Sequence, residues 1–193
     1  MELFFDTETS GFITDKLPID HHDQAWVVQL GFILSDSQKI YHEANIMIKG
    51  GDRKMGPYAE KVHGISVETS NKFGILELEA FDLFESLLRL KPTLIAHNKQ
   101  FDLKFMNSIS MRYRGNCDLI KSLPSICTMM ESTNYCKLEK KRGSGYKWPK
   151  LEELHKILFD FDFDNAHDAL ADVHATRNCF YKLVELGVIE YEI

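Results

Sequence analysis

The chain has 193 residues, 44% hydrophobic and 27% charged, the make-up of a soluble domain long enough to bury one substantial core. Its formal charge of -6 excludes a broad electrostatic grip on nucleic acid, so any polyanion must be held locally, through metal and a few Lys or Arg. Cys117, Cys127, Cys136 and Cys179 show no CxxC pair and no regular spacing, which argues against a zinc knuckle or redox pair and for reduced, mostly buried thiols.

No basic segment precedes the first apolar run, and no stretch is apolar for the ~18 residues of a membrane span, so a cytoplasmic protein without a membrane partner is expected. The apolar run Leu3-Phe4-Phe5 reads as a buried strand that stops at two carboxylates, Asp6 and Glu8. Strand side chains repeat every second residue, so these two acids share a face and repel unless a cation lies between them. A divalent metal site is the first expectation. The polar stretch 12–23, with Pro18, reads as a loop, and its His21-His22-Asp23 as solvated histidines rather than ligands.

Residues 26–34 and 39–48 read as two strands joined in a hairpin by Ser35-Asp36-Ser37-Gln38. Gly50-Gly51 breaks the pattern, and 57–63 reads as a short helix stopped by Gly64. An amphipathic helix is expected over 75–90 with Leu76, Ala80, Leu83, Leu87 and Leu90 inward, ended by Pro92. Residues 93–96 form another short buried strand, leading into a helix with Phe101, Phe105 and Ile109 four apart and Asp102 in its first turn.

A last short strand over 125–127 precedes a helix through Met129, Met130 and Tyr135, the methionines read as core. Residues 137–148 are the one concentrated basic stretch, with Gly, Ser and two aromatics. They read either as a solvated loop or as a phosphate-tracking flap. Residues 151–158 form an amphipathic helix with His155 at its surface or packed beneath it. Asn165 and Asp168 are spaced as a capping pair opening the final helix, whose core stripe is Ala169, Val173, Thr176, Phe180 and Leu183. Asp172 lies at the edge of that stripe, and His167 at the helix start. The alternation of helices with short strands indicates an α/β layer architecture in one domain over residues 1–193.

Asp6, Glu8, Asp102 and Asp172, with His167, each fall at an element end or half-buried edge where a lone charge is costly. Convergence on a metal centre offsets those costs. Carboxylates without Cys select magnesium or manganese, and paired ions in such sites serve phosphoryl chemistry.

On these residues the sequence resembles the DEDDh (DnaQ-like) 3′-to-5′ exonucleases. Phe5-Asp6-Thr7-Glu8-Thr9-Ser10-Gly11 looks like the first motif of that family, His97-Asn98-Lys99-Gln100-Phe101-Asp102 the second, and His167-Asp168-Ala169-Leu170-Ala171-Asp172 the third. Each is weakly specific alone; all three in order are strong. Val62-His63-Gly64-Ile65 is similar to a segment beside the terminal nucleotide in proofreading members. The resemblance implies a ribonuclease-H-like fold, a five-stranded mixed sheet with its second strand antiparallel, flanked by helices. It also implies two Mg2+ or Mn2+ ions, with Asp6 bridging both, Glu8 and Asp172 completing the inner ion's shell, Asp102 acting on the second, and His167 as general base. An imidazole, titrating near ~6.5, suits proton removal at neutral pH.

Thr7, Thr9, Gly11 and His63 would bind the terminal nucleotide, Phe12 would wedge between the last two bases, and Asn98 and Phe101 would buttress the second motif. Cys127 stands where members often carry Asp. The implied substrate is a single-stranded 3′ end, DNA favoured over RNA, released as nucleoside 5′-monophosphates in proofreading or repair. The alternatives are an exoribonuclease, a non-catalytic 3′-end-binding module, or a metal phosphatase using the same acids. A polymerase is the protein partner implied, although the chain ends at Ile193 without the extended tail of bacterial proofreading subunits, which favours a free-standing enzyme. Oligomeric state is left open.

Overall fold

A computed structural model describes residues 1–192. The sheet is built from β1 (Glu2–Thr9), β2 (Val27–Ser35), β3 (Ile40–Met47), β4 (Thr93–Ala96) and β5 (Ser125–Cys127), in the order β3-β2-β1-β4-β5. β2 pairs antiparallel with both β1 and β3, while β4 and β5 run parallel to β1, so β2 alone is reversed, as expected. β1 does not stop at the acids: it continues through Asp6 and Glu8 to Thr9, held in register by β2.

Both faces of the sheet are covered, and the period of two sorts β1 between them. Leu3 and Phe5, with Leu30 and Phe32 of β2, pack against α3 (Glu77–Leu88) and α4 (Lys99–Arg114) through Phe81, Phe84 and Phe105. Phe4 and its cross-strand neighbours Ile33 and Ile95 face α8 (Ala169–Glu185) through Val173, Phe180 and Leu183; the Phe4 and Phe180 rings meet edge to face at 5.5 Å. Asp6 and Glu8 continue the Phe4 row, so they point to the α8 side. Thr7 continues the other row, toward α4.

Gly31 of β2 lies opposite Asp6 on one side and Asn45 of β3 on the other. A Cβ there would sit 2.5 Å from the Ala169 carbonyl carbon, so helix and sheet touch backbone to backbone. Two pairs over, on the same face, Gln29 lies opposite Glu8; its Oε1 accepts from Ala169 N at 3.1 Å and its Nε2 donates to Asp168 at 3.0 Å. Asn45 Nδ2 donates to the same carboxylate at 2.9 Å. These bonds fix the start of α8 over the row carrying the acids.

The remaining elements are α1 (Pro57–His63), α2 (Val67–Phe73), α5 (Asp118–Lys121), α6 (Thr128–Cys136) and α7 (Leu151–Phe159). α1 ends where Gly64 turns left-handed at φ 72°. Several expectations are corrected. α3 begins at Glu77, after Ile75 has made a single bridge to Ile48, and Leu76, Leu83 and Leu90 are exposed. The buried stripe is Ala80, Phe81, Phe84, Leu87 and Leu88, because the larger aromatic rings take the core. α8 is capped by Asp168, whose side chain accepts from Ala171 N at 3.1 Å; Asn165 lies outside the helix in a left-handed turn. Met129 is buried but Met130 is exposed. His155 is buried, with its ring against Phe159, Phe161 and Phe163, so it is a packing histidine. Cys117, Cys127 and Cys179 are buried free thiols and Cys136 is partly so.

Gly31→Ala tests the backbone contact. Overpacking of this kind costs about 1–3 kcal/mol, and in a chain of this size about 2–4 °C of melting temperature per kcal/mol. A thermal scan should show a drop of several degrees; an unchanged melting temperature would mean that α8 does not need the gap.

Candidate active site

Three anchors bring the acids together. β1 supplies Asp6 and Glu8 on its α8-facing side. α8, seated at Gly31, carries Asp172 in its first turn. α4 carries Asp102, whose Oδ1 accepts from both the backbone N of Thr7 at 3.0 Å and its hydroxyl at 2.7 Å. That pair of hydrogen bonds orients Asp102 and ties the start of α4 to β1.

One ligand atom each from Glu8, His167 and Asp172 lies within 4.8 Å of the others. His167 is exposed, has φ 71°, and donates its backbone N–H to Asp172 Oδ2 at 3.3 Å. The other oxygen, Asp172 Oδ1, is buried without a hydrogen-bond partner.

The charges are mutually unfavourable. Burial pushes Asp6 well above the usual carboxylate range, and facing Asp102, Asp172 and Glu8 add to it. Glu8 rises to about 8, from burial first and then Asp172 and Asp102. Asp102 rises to about 7 because burial outweighs the two bonds from Thr7. Asp172 also rises to about 7, again chiefly by burial, with Glu152 of α7 and Asp168 contributing. A divalent cation fits this set: its oxygen donors are hard, one is orphaned, and no thiol competes.

Beside Glu8 opens a groove of about 390 Å³. Thr7, Thr9, Gly11 and His63, expected to hold a terminal nucleotide, line it together with Phe12, the expected wedge, and Phe101, an expected buttress of the second motif. Phe12 is 79% exposed, and its ring stands near-perpendicular to that of Phe101 with centroids 5.9 Å apart. Thr9 Oγ1 donates to Gly11 O at 3.0 Å and so shapes the turn below Phe12. His63 accepts the Ile65 N–H at Nδ1, 3.1 Å away, which places its proton on Nε2. That nitrogen is buried without a hydrogen-bond partner, and burial holds the ring below the ordinary histidine range.

Asn98 is not brought to the groove. It is exposed at the start of α4 in a left-handed conformation, φ 64°, and its backbone oxygen, not its side chain, accepts from Phe101 N at 2.9 Å.

Sequence reasoning missed several participants. Tyr58 and Val62 of α1 complete the groove wall, and Tyr58 is 75% exposed; α1 buries no residue, so its apolar side chains had no core-like spacing to mark them. Gln29 and Asn45 orient Asp168; Gln29 was marked only as a polar residue inside a largely apolar strand, and Asn45, in a strand that also carries His42 and Glu43, by nothing. His97 Nε2 donates to Pro149 O and Nδ1 accepts from Thr128 Oγ1, both at 3.0 Å, because a carbonyl can only accept. Burial pushes this ring down to about 4, so it is a neutral brace behind the second motif.

Residues 3–180 match the exonuclease family RNase T. The DNA polymerase III subunit epsilon of Aquifex aeolicus (strain VF5) is 31% identical over 100 residues, 52% of this chain and 44% of that protein. Exonuclease I of E. coli, solved in complex with a dT13 oligonucleotide, superposes with a TM-score of 0.73 at 22% identity over 95% of this chain and 40% of its own. A product-bound structure of exonuclease I gives 0.72 at 20% identity, covering 95% of this chain and 43% of that one. This chain therefore spans less than half the length of these relatives, and the structural likeness gives the ribonuclease-H-like fold.

The raised acids fix the sign of a pH effect. The folded state prefers them protonated, so the stabilisation present below their unfolded values near ~4 is lost as pH rises through about 7 to 8. In EDTA the melting temperature should fall between about pH 5 and pH 8.5. Mg2+ should reverse the fall and release protons on binding. Asp172→Asn should flatten the profile; a flat wild-type profile would refute the crowding.

Proposed function

The chain belongs to the RNase T family of DnaQ-like exonucleases, and on that premise we propose that it is a 3′-to-5′ exonuclease. It would remove nucleoside 5′-monophosphates one at a time from single-stranded ends, DNA in preference to RNA. The observation that carries this reading is the convergence of Asp6, Glu8, Asp102, Asp172 and His167 beside a groove with two exposed aromatic rings, Phe12 and Tyr58.

Asp6, Glu8, Asp102 and Asp172 would hold two Mg2+ or Mn2+ ions, which when bound supply a more acidic water and neutralise charge on the scissile phosphate. The chain's own residues do the rest. Thr7 holds Asp102 by one oxygen, leaving the other for the site. The 3′-terminal base occupies the groove against Phe12, where stacking on an aromatic face is worth about 1–3 kcal/mol per base. The groove is apolar at its wall, through Tyr58, Val62 and Phe101, so a base is a better occupant than a second phosphate.

His167 takes the proton of the attacking water on its imidazole. Its exposure and its place within ligand distance of Glu8 and Asp172 support that role. General-base assistance of this kind contributes about 10²–10⁴-fold.

The direction of attack is read with a 5′-labelled single-stranded oligonucleotide in Mg2+. The expected product is a ladder shortening from the 3′ end, with nucleoside monophosphates accumulating. His167→Asn should lower kcat by about 10²–10⁴-fold and Asp6→Asn should abolish turnover, with circular dichroism unchanged. Immediate release of the 5′ label as mononucleotide, liberation of inorganic phosphate, or full activity in both variants would overturn the proposal.

A further inference from the structure

Six basic side chains, Lys137, Lys140, Lys141, Arg142, Lys147 and Lys150, fall within residues 137–150 against one acid, Glu139. In a chain of net charge -6 this is a local reversal of sign. The segment is a built hairpin: Glu139 bridges antiparallel to Tyr146, Lys147 N donates to Leu138 O at 2.9 Å, and Gly143 and Gly145 supply left-handed turns at φ 83° and 81°.

Its base is fixed close to the acids. Pro149 is buried and its carbonyl accepts from His97, in the same motif as Asp102. The chain then enters α7, which packs against α8, the helix bearing Asp172. The hairpin body is free: among the described residues Lys141 and Arg142 make no ion pair and both are exposed.

On the returning limb Tyr146 and Trp148 flank Lys147, whose ammonium pairs with Glu153 at the start of α7. Trp148 is 66% exposed and Tyr146 39%. A loop selected only for solubility has no use for two aromatic faces turned to water beside unpaired cations. Stacking platforms next to positive charge are what a single strand of nucleic acid uses, whatever its sequence.

We propose that the 137–150 hairpin is a second binding site for the single-stranded substrate, gripping it upstream of the scissile end, with Tyr146 and Trp148 stacking bases and Lys141 and Arg142 neutralising phosphates. The proposal rests on the exonuclease reading for the identity of the strand, and extends it by making affinity depend on substrate length. It also explains how an acidic chain holds a polyanion: one grip at the carboxylates through cations, one at the hairpin through Lys and Arg.

The test uses the intact chain, with Lys141→Glu combined with Arg142→Glu, and separately Trp148→Ala. Fluorescence anisotropy in Ca2+ compares a labelled twelve-nucleotide oligothymidylate with a trinucleotide. Both variants should lose at least about tenfold in affinity for the long strand and less than about twofold for the short one, since single-strand contacts are individually this large. The double variant should also flatten the slope of log K against log salt by about 1.4, since each lost phosphate contact is worth about 0.7. Equal losses on both lengths, no loss on the long strand, or a loss seen only with duplex would overturn the hairpin site. Because anisotropy needs no turnover, a wild-type chain that binds but hydrolyses neither strand would defeat the exonuclease reading alone.

Discussion

The molecule depends on a place where the sheet has no side chain. Opposite Asp6, Gly31 leaves a gap, and the first residue of α8 rests in it, backbone against backbone. Gln29 and Asn45 then reach up from either side to the Asp168 cap and fix the helix in rotation as well as height. One turn further on, Asp172 arrives over Glu8. Any side chain at position 31 would lift the helix, and the third acid would leave the first two behind.

What this seating assembles is unfavourable by itself. Glu8, Asp102 and Asp172 are pushed to about 8, 7 and 7, so that near neutral pH the cluster stands between holding protons and losing them. The fold tolerates this because the two hydrophobic layers are independent of it: Phe81, Phe84 and Phe105 on one face of the sheet, Val173, Phe180 and Leu183 on the other. Burial is also what gives a cation its advantage. An exposed acidic patch would be satisfied by water, whereas Asp172 Oδ1 has neither water-facing surface nor a donor.

Much of this was legible in the sequence, and the parts that were not share a cause. The period of two is enough to put Asp6 and Glu8 on one side of β1, and the Pro57 to Gly64 punctuation marks α1 with its bounds. The motif spacing named the five polar side chains that the fold brings together. Elsewhere periodicity alone misled: in α3 leucines at a plausible spacing lost the core to Phe81 and Phe84, a competition settled only by the facing Phe5 and Phe32. α2 was overlooked because its seven residues bury only Ser70, so its Ser66 cap had no stripe to accompany it. Asp168 was read as half of a local capping pair; it does cap α8 through Ala171 N, but it is also held by Gln29 and Asn45, over a hundred residues away, which no local spacing could reveal.

The placement of His167 follows a different rule from that of the acids. The carboxylates stand on a central strand and on the first turns of two helices, where neighbours hold them; His167 stands before a helix begins, exposed, at φ 71°. A left-handed residue without glycine costs about 1–2 kcal/mol, so something must hold it there. Two contacts do. Its own N–H is drawn to Asp172 Oδ2, and upstream the segment is tethered by buried His155, whose Nδ1 meets Phe161 O at 3.1 Å among three phenylalanine rings. Asp172 thus divides its two oxygens: Oδ2 restrains the backbone of His167, and Oδ1, buried without a partner, is the one left for a cation.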